Sequence, residues 1–136
     1  MLQKKYGIKP IYGIEVTLVD DLRKIVSKLK EQTIQDTFVV FDIETTGFSS
    51  SCDKIIEIGA VKIKNCEIID IFSTFVNPQI EIPQKIVELT KINDSMVANS
   101  PLIENVIEDF YNFCDGATLV AHNIDFDMSF IRRNGV

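Results

Sequence analysis

Two carboxylates stand one residue apart at the end of an apolar run, in the segment FDIE at 41–44. If this run is a β-strand, its side chains alternate, so Asp42 and Glu44 share one face and their apolar neighbours share the other. Two carboxylates about 4 Å apart repel each other by on the order of 4 kcal/mol at an effective dielectric near 20. A divalent cation such as Mg²⁺, which prefers carboxylate and phosphate oxygens, would offset that charge. The residues alone leave another possibility open, in which the strand ends at Ile43 and both acids are solvated or paired with lysines.

Other polar residues that could take part in chemistry follow two apolar runs. Thr45-Thr46-Gly47 offers two hydroxyls and a flexible glycine, where backbone N–H groups could approach a nucleotide, although the triplet alone indicates only a turn. The single histidine, His122, precedes Asn123, Asp125 and Asp127. A lone histidine is more often structural than catalytic, and Asn123 or Asp125 could simply cap the helix that follows.

The composition limits the class of protein. A chain of 136 residues with 46% hydrophobic content is long enough for one compact domain. Its three cysteines have no CxxC spacing, and no apolar run approaches the roughly 18 residues of a membrane span, so we expect a cytoplasmic protein with no membrane partner. The net charge of -6 argues against a broad basic DNA-binding face. It is compatible with a nuclease, because bound cations reverse the sign of charge where carboxylates gather.

The elements predicted along the chain form an α/β fold with a mixed sheet. The apolar run 37–43 is typical of a buried strand, and 54–63 and 67–76 are predicted as strands joined by a turn near Lys64-Asn65. The later predicted elements are a short helix over 83–89, a helix over 101–115 with Ser100 as N-cap, a strand over 117–121 and a helix over 126–133. Before them, a strand over 11–19 and a helix over 22–30 are predicted.

Three segments together resemble the DnaQ-like (DEDD) family of 3′→5′ exonucleases. They are FDIETTG at 41–47, IIEIGAV at 55–61 and LVAHNIDFDMSFI at 119–131, which match the family's first and second motifs in order and spacing. The resemblance covers residues 37–136 and implies the first two thirds of an exonuclease domain. It also implies a ribonuclease H-like mixed sheet with three antiparallel strands, followed by helix, strand and helix, without the last helices of that fold.

By this resemblance, Asp42, Glu44 and Asp127 match the family's catalytic, metal-binding acids. Asp125 competes for the third position, but Asp127 follows the motif phenylalanine and is preferred. Contacts to the substrate are expected from six further residues, namely Thr45, Thr46, Gly47, Glu57, His122 and Asn123. For Glu57, pairing with a lysine explains a strand glutamate equally well.

For the family's complete domain, the resemblance implies two Mg²⁺ or Mn²⁺ ions, one generating hydroxide and the other stabilising the leaving 3′-oxygen. The general-base histidine and a fourth acidic ligand belong to a third motif, HxAxxD, which is absent here, since the one histidine lies in the second motif. We therefore expect the chain alone to hydrolyse DNA ends poorly or not at all and to be less stable than a full domain.

A further segment, YGIKPIYGIEVTLVDD at 6–21, resembles part of the polymerase-and-histidinol-phosphatase domain of bacterial replicative polymerases. The PolC-type family of DNA polymerase III alpha subunits interrupts that domain with an exonuclease, so the order of segments implies this family. Residues 1–21 would then be a fragment of the phosphatase-like domain and residues 22–36 a connector. Glu15 matches a metal ligand of that domain, but its histidine and aspartate partners are not in this sequence.

The implied function is therefore proofreading, with a single-stranded or frayed DNA 3′ end, the rest of the polymerase III alpha subunit and the replisome as partners. Two other functions stay open. One is a stand-alone DnaQ-like exonuclease or exoribonuclease, against which the segment 6–21 argues. The other is a non-catalytic nucleic-acid-binding module of the same fold, against which the three retained acids argue.

Overall fold

Four strands form a mixed sheet in the computed structural model of this chain, which describes Thr33 and residues 35–135. The elements are β1 (Phe38–Thr45), β2 (Ile55–Lys64), β3 (Glu67–Phe75), α1 (Gln84–Thr90), α2 (Asp94–Val97), α3 (Ile103–Cys114), β4 (Thr118–Val120) and α4 (Ile124–Asn134). Across the sheet the order is β3-β2-β1-β4, with β4 parallel to β1 and the other neighbours antiparallel. The predicted α/β fold is confirmed. The strand predicted over 11–19, the helix predicted over 22–30 and Glu15 lie outside the described residues.

The hairpin between β2 and β3 fixes which residues of these strands face each other. Its turn is Asn65-Cys66, one residue later than predicted, and the two φ angles are 52° and 63°. Positive φ at both central residues is what a two-residue type I′ turn requires. The pair Lys64↔Glu67 closes the hairpin, and a bulge follows between Lys62 and Ile63.

The main core lies between one face of the sheet and the helices α3 and α4. Phe110 on α3 is 1% exposed, and its ring centroid lies 5.4 Å from that of Phe41 on β1 and 5.7 Å from that of Phe72 on β3. From α4, Phe130 and Ile131 join the same cluster. Because strand side chains alternate, the opposite face of β1 is left for its polar residues.

The helix α3 begins later than predicted. Leu102 is its N-cap and Ile103 its first residue, whereas the sequence predicted a start at Ser100-Pro101. The backbone groups of both residues make other hydrogen bonds. The Ser100 N–H donates to the Val97 carbonyl at 3.0 Å, and the Pro101 carbonyl accepts the Asn77 N–H at 2.9 Å. The prediction of a Ser100 cap is therefore wrong, although the helix itself is confirmed and buries Val106, Ile107 and Phe110 against the sheet.

A second buried cluster closes one end of the sheet. Its members come from β2, α1, α2 and the loops around them, and are Ile56, Ile82, Ile86, Ile92 and Val97. The four-residue α2 was not predicted, because so short a helix shows no periodicity in sequence. Asn93 caps it by accepting the Met96 N–H at 3.2 Å. Within the part of the chain that the structure describes, no helix is both long and apolar enough to cross a membrane.

Candidate active site

The acids of β1 lie on the face of the strand that does not enter the main core. Phe41 and Ile43 are buried, whereas Asp42 is exposed and Glu44 is half-buried. The predicted placement of the two acids on one face is therefore confirmed. The strand continues through Glu44 to Thr45, so the alternative in which it ends at Ile43 is wrong.

A third carboxylate joins this face from β2. Glu57 pairs directly with Glu44 across the antiparallel ladder, and Gly59 pairs with Asp42. Like charges at directly opposed positions destabilise a strand pair. At Gly59 a Cβ would meet nothing within 4 Å, so the space beside Asp42 is open. In this register Glu57 faces a carboxylate across the ladder, not a lysine.

The surroundings of Glu44 disfavour its charge. Burial raises the pKa of its carboxyl, and the neighbouring Asp42 and Glu57 raise it further. Each of these three influences disfavours the ionised form. A cation bound beside Glu44 would favour its ionised carboxylate and so lower its pKa.

Asp127 reaches the same region from the first turn of α4, and its side chain is 2% exposed. The ladder between β1 and β4 ends at Val40↔Val120, so farther along this edge of β1 no strand of the described residues lies beside it. There a backbone hydrogen bond from Ile43 reaches the Asp127 carboxyl.

Asp127 is electrostatically coupled to one of the β1 acids, Asp42. Burial and then Asp42 raise the pKa of its carboxyl. Hydrogen bonds from its own backbone and from Ile43, together with the charge of His122, act in the opposite direction. Asp42 thus interacts with both Glu44 and Asp127, and it is the carboxylate that the other two share.

The remaining residues of the second motif surround these acids at the surface. Asp125, the competitor of Asp127, is exposed in the first turn of α4. Asn123 is exposed at the N-cap of α4, where its backbone carbonyl accepts two N–H groups but its side chain makes no capping bond. His122 is exposed and lines a shallow concavity on the open sheet face together with Asp42.

The triplet Thr45-Thr46-Gly47 leads from β1 into a loop. The Thr45 hydroxyl donates to the Gly47 carbonyl at 2.5 Å. The Thr46 hydroxyl accepts the Lys54 N–H at 3.0 Å, and the Thr46 N–H donates to the Lys54 carbonyl at 2.8 Å. Both hydroxyls therefore hold the backbone of the loop in place.

Sequence inspection missed two residues that shape this loop. The Asp53 carboxylate accepts the Ser49 N–H at 2.8 Å and contacts the Thr46 hydroxyl at 3.5 Å. The Arg133 guanidinium, near the end of α4, donates to the Ser50 carbonyl. An aspartate at the end of a loop rich in serine and glycine is a recognisable signal for such a local contact, because aspartate side chains bond nearby backbone N–H groups. The contact of Arg133 is 83 residues distant in sequence and leaves no local signal.

The three acids supply carboxylates, the type of ligand that Mg²⁺ prefers. Among Thr33 and residues 35–135, no three His, Cys, Asp or Glu side chains form a ready-made metal cluster. Mg²⁺, however, usually binds through only one or two carboxylates and completes its shell with water and substrate phosphate. The two carboxylate pairs that share Asp42, one with Glu44 and one with Asp127, are donors of the kind that such an ion takes.

Comparison with known proteins identifies the relatives of the chain. Residues 39–135 match the RNase_T family, described as exonuclease. The chain is 57% identical over 129 residues to the PolC-type DNA polymerase III of Caldanaerobacter subterraneus subsp. tengcongensis, and 54% identical over 131 residues to that of Clostridium perfringens. These alignments cover 95% and 96% of this chain but 9% of each relative, so the chain spans about a tenth of their length.

Solved structures with the same fold are exonucleases. Escherichia coli exonuclease I in complex with a dA16 oligonucleotide superposes with a TM-score of 0.67 and 17% identity, over 74% of this chain and 23% of that chain. Exonuclease X in complex with 5′ overhanging duplex DNA superposes with a TM-score of 0.59 and 32% identity, over 68% of this chain and 52% of that chain. The predicted resemblance to this exonuclease family and to PolC-type polymerases is thus confirmed.

Proposed function

Since this chain belongs to the RNase_T family of exonucleases, we propose that it is a 3′→5′ exonuclease domain that proofreads for a bacterial replicative DNA polymerase. It would hydrolyse the last phosphodiester bond at a DNA 3′ end and release nucleoside monophosphates. The high identity to PolC-type polymerases supports the polymerase context. The observation that carries the proposal is the position of Asp42, which interacts with the carboxylates of both Glu44 and Asp127.

In this proposal Asp42, Glu44 and Asp127 are the catalytic residues that hold Mg²⁺ or Mn²⁺, two ions per complete active site. When bound, the ions supply positive charge for the attacking water and the leaving 3′-oxygen. The protein positions the carboxylates for these ions. Strand β1 holds Asp42 and Glu44 on one face, and the Ile43 backbone orients Asp127 by a hydrogen bond. Burial of Asp127 and of part of Glu44 keeps water from screening these charges.

The substrate would bind along the open face next to these acids. We assign contacts with the terminal nucleotide to residues that surround them, namely Thr45, Thr46, Gly47, Glu57, His122 and Asn123. Gly59, opposite Asp42, leaves room for a phosphate there. The exposure of His122 and Asn123 makes both available to a ligand.

Residues 37–136 would then be the exonuclease part, residues 22–36 a connector and residues 1–21 a piece of a phosphatase-like domain. The partners would be a single-stranded or frayed DNA 3′ end, the rest of the polymerase III alpha subunit and the replisome, in the cytoplasm. Because the sequence has neither the histidine nor the acid of a third motif, these 136 residues alone should have little activity.

The test is an exonuclease assay on the full-length gene product that carries this chain. With a 3′-labelled single strand and Mg²⁺, we expect release of labelled nucleoside monophosphate. Asp42→Ala should reduce the rate by about 100-fold or more, since a ligand shared by both carboxylate pairs is lost. Asp109→Ala, an exposed acid on α3, is the control and should leave the rate unchanged. Equal rates for both variants would contradict the proposal.

The same preparation separates the two other candidate functions. A stand-alone exoribonuclease would degrade an RNA strand faster than the matched DNA strand. A non-catalytic nucleic-acid-binding module would degrade neither strand and would bind no Mn²⁺.

A further inference from the structure

In the loop that follows the β1 acids, Asp53 makes hydrogen bonds back to Ser49. Asp53, the last residue of the segment 47–53, accepts the Ser49 N–H through its carboxylate at 2.8 Å and donates its own N–H to the Ser49 carbonyl at 2.8 Å. The two residues are therefore joined by a reciprocal pair of hydrogen bonds. A charged acceptor makes the first of them stronger than an ordinary backbone bond.

The same carboxylate lies against the triplet that leads out of β1. Its Oδ1 atom is 3.5 Å from the Thr46 hydroxyl, and a Cβ placed on Gly47 would be 2.5 Å from the carboxyl group. Such a distance is far inside van der Waals contact, so the carboxylate occupies the space that a side chain at position 47 would need. Asp53 thus packs on Gly47 and bonds Ser49 at the same time.

We propose that Asp53 is a positioning residue for the terminal nucleotide, which fixes the backbone of 45–49 in its ligand-binding shape before a ligand arrives. This inference rests on the proposed function, because it assigns a role toward the nucleotide that this function requires. Asp53 itself touches neither the metal ions nor the reacting atoms. A loop that is ordered in advance binds more tightly, since its ordering entropy is not lost on binding.

The inference requires that Asp53 act on nucleotide affinity and not on metal affinity or folding as a whole. The β1 acids are held by the sheet register, which does not involve Asp53. Loss of the carboxylate should therefore free the loop and leave the acids in place. A merely structural role would instead lower metal and nucleotide binding together, in proportion to the unfolded fraction.

The experiment measures two affinities by calorimetry on the 136-residue chain, first for Mn²⁺ and then for thymidine 5′-monophosphate in saturating Mn²⁺. Asp53→Ala should weaken nucleotide binding about tenfold and change the Mn²⁺ affinity by less than about twofold. Asp53→Asn keeps an oxygen acceptor for the Ser49 N–H and should restore most of the nucleotide affinity. Asp109→Ala, an exposed acid on α3, should match the unsubstituted chain in both titrations.

The outcomes distinguish this inference from the proposed function. Nucleotide affinity that is unchanged in Asp53→Ala, or that falls in parallel with Mn²⁺ affinity, would overturn the role of Asp53 alone. An unsubstituted chain that binds neither Mn²⁺ nor the nucleotide would overturn the function and this role with it. If Asp53→Ala does not fold, hydrogen exchange of the Ser49 amide in the ligand-free chain decides: slow exchange supports a preformed loop, and fast exchange contradicts it.

Discussion

Glu44 and Glu57 occupy directly opposed positions on β1 and β2, so two carboxylates share one face of the sheet where a strand pair is normally stabilised by complementary side chains. Asp42 stands on the same face two residues before Glu44. The sheet therefore gathers negative charge at one place, and burial, Asp42 and Glu57 all disfavour the charge of Glu44. This arrangement costs stability in the free chain and is useful to a chain that binds cations.

Removing the negative charge of Glu57 should lower the pKa of Glu44. In Glu57→Gln, the pKa of Glu44 is expected to fall toward its ordinary value of 4.5, because one of the influences that raise it is gone. A carboxyl pKa that is raised by folding makes the folded state less stable as pH rises above that ordinary value. The variant should thus lose less stability between pH 4 and pH 7, by about 0.2–1 kcal/mol.

An NMR titration of the Glu44 side chain and unfolding curves at the two pH values measure this effect. Glu67→Gln is the matched control, because Glu67 stands opposite Lys64 at the hairpin turn. The Glu67→Gln variant should lose as much stability between pH 4 and pH 7 as the unsubstituted chain. A Glu44 titration curve that is identical with and without Glu57 would disprove the charge coupling.

Asp127→Asn should stabilise the chain in the absence of metal and reduce its stabilisation by metal. Burial and Asp42 raise the pKa of this carboxyl, so its ionisation opposes folding as pH rises above 3.8. An amide removes that charge and still offers an oxygen to the Ile43 backbone. Thermal melts at pH 7 with and without Mn²⁺ are the measurement. We expect a higher midpoint than the unsubstituted chain without Mn²⁺ and a smaller rise with it. A lower metal-free midpoint would contradict the electrostatic explanation.

Two glycines beside the acids should respond in opposite ways to the same substitution. In Gly47→Ala the new Cβ would lie 2.5 Å from the Asp53 carboxyl, and we expect a loss of about 1–3 kcal/mol. In Gly59→Ala the new Cβ meets nothing within 4 Å, and a strand interior favours alanine over glycine by roughly 0.5–1 kcal/mol. Chemical denaturation of both variants gives the two free energies. Equal losses would show that the loop does not pack on Asp53 as described.

The sequence predicted the placement of Asp42 and Glu44 well, because strand alternation alone determines it. It could not predict that Glu57 faces Glu44. That relationship depends on the register between β1 and β2, which are joined by the loop that follows Thr45 and whose pairing shifts between Glu44 and Thr45. A slip of one residue would move every side chain of a strand to the other face.

Local sequence patterns also could not predict features that depend on contacts between residues distant in sequence. Ser100-Pro101 has the composition of a helix start, yet a local turn bond to Val97 and a long-range bond to Asn77 use its backbone groups, and the helix begins later. The loop contact of Arg133 escapes notice for the same reason, since its partner is far away in sequence. Local signals thus predicted the strands, the longer helices and the shared face of Asp42 and Glu44, while the short α2 and the contact of Arg133 required coordinates.

Calorimetric titration of the chain with Mn²⁺ tests most directly whether Asp42, Glu44 and Asp127 form a cation site. We expect saturable binding by the unsubstituted chain. In Asp42→Asn it should be weakened by about tenfold or more, because the carboxylate next to both others is lost. Asp109→Asn, an exposed acid of α3, should bind like the unsubstituted chain. Absence of binding, or equal binding by Asp42→Asn and Asp109→Asn, would contradict the site.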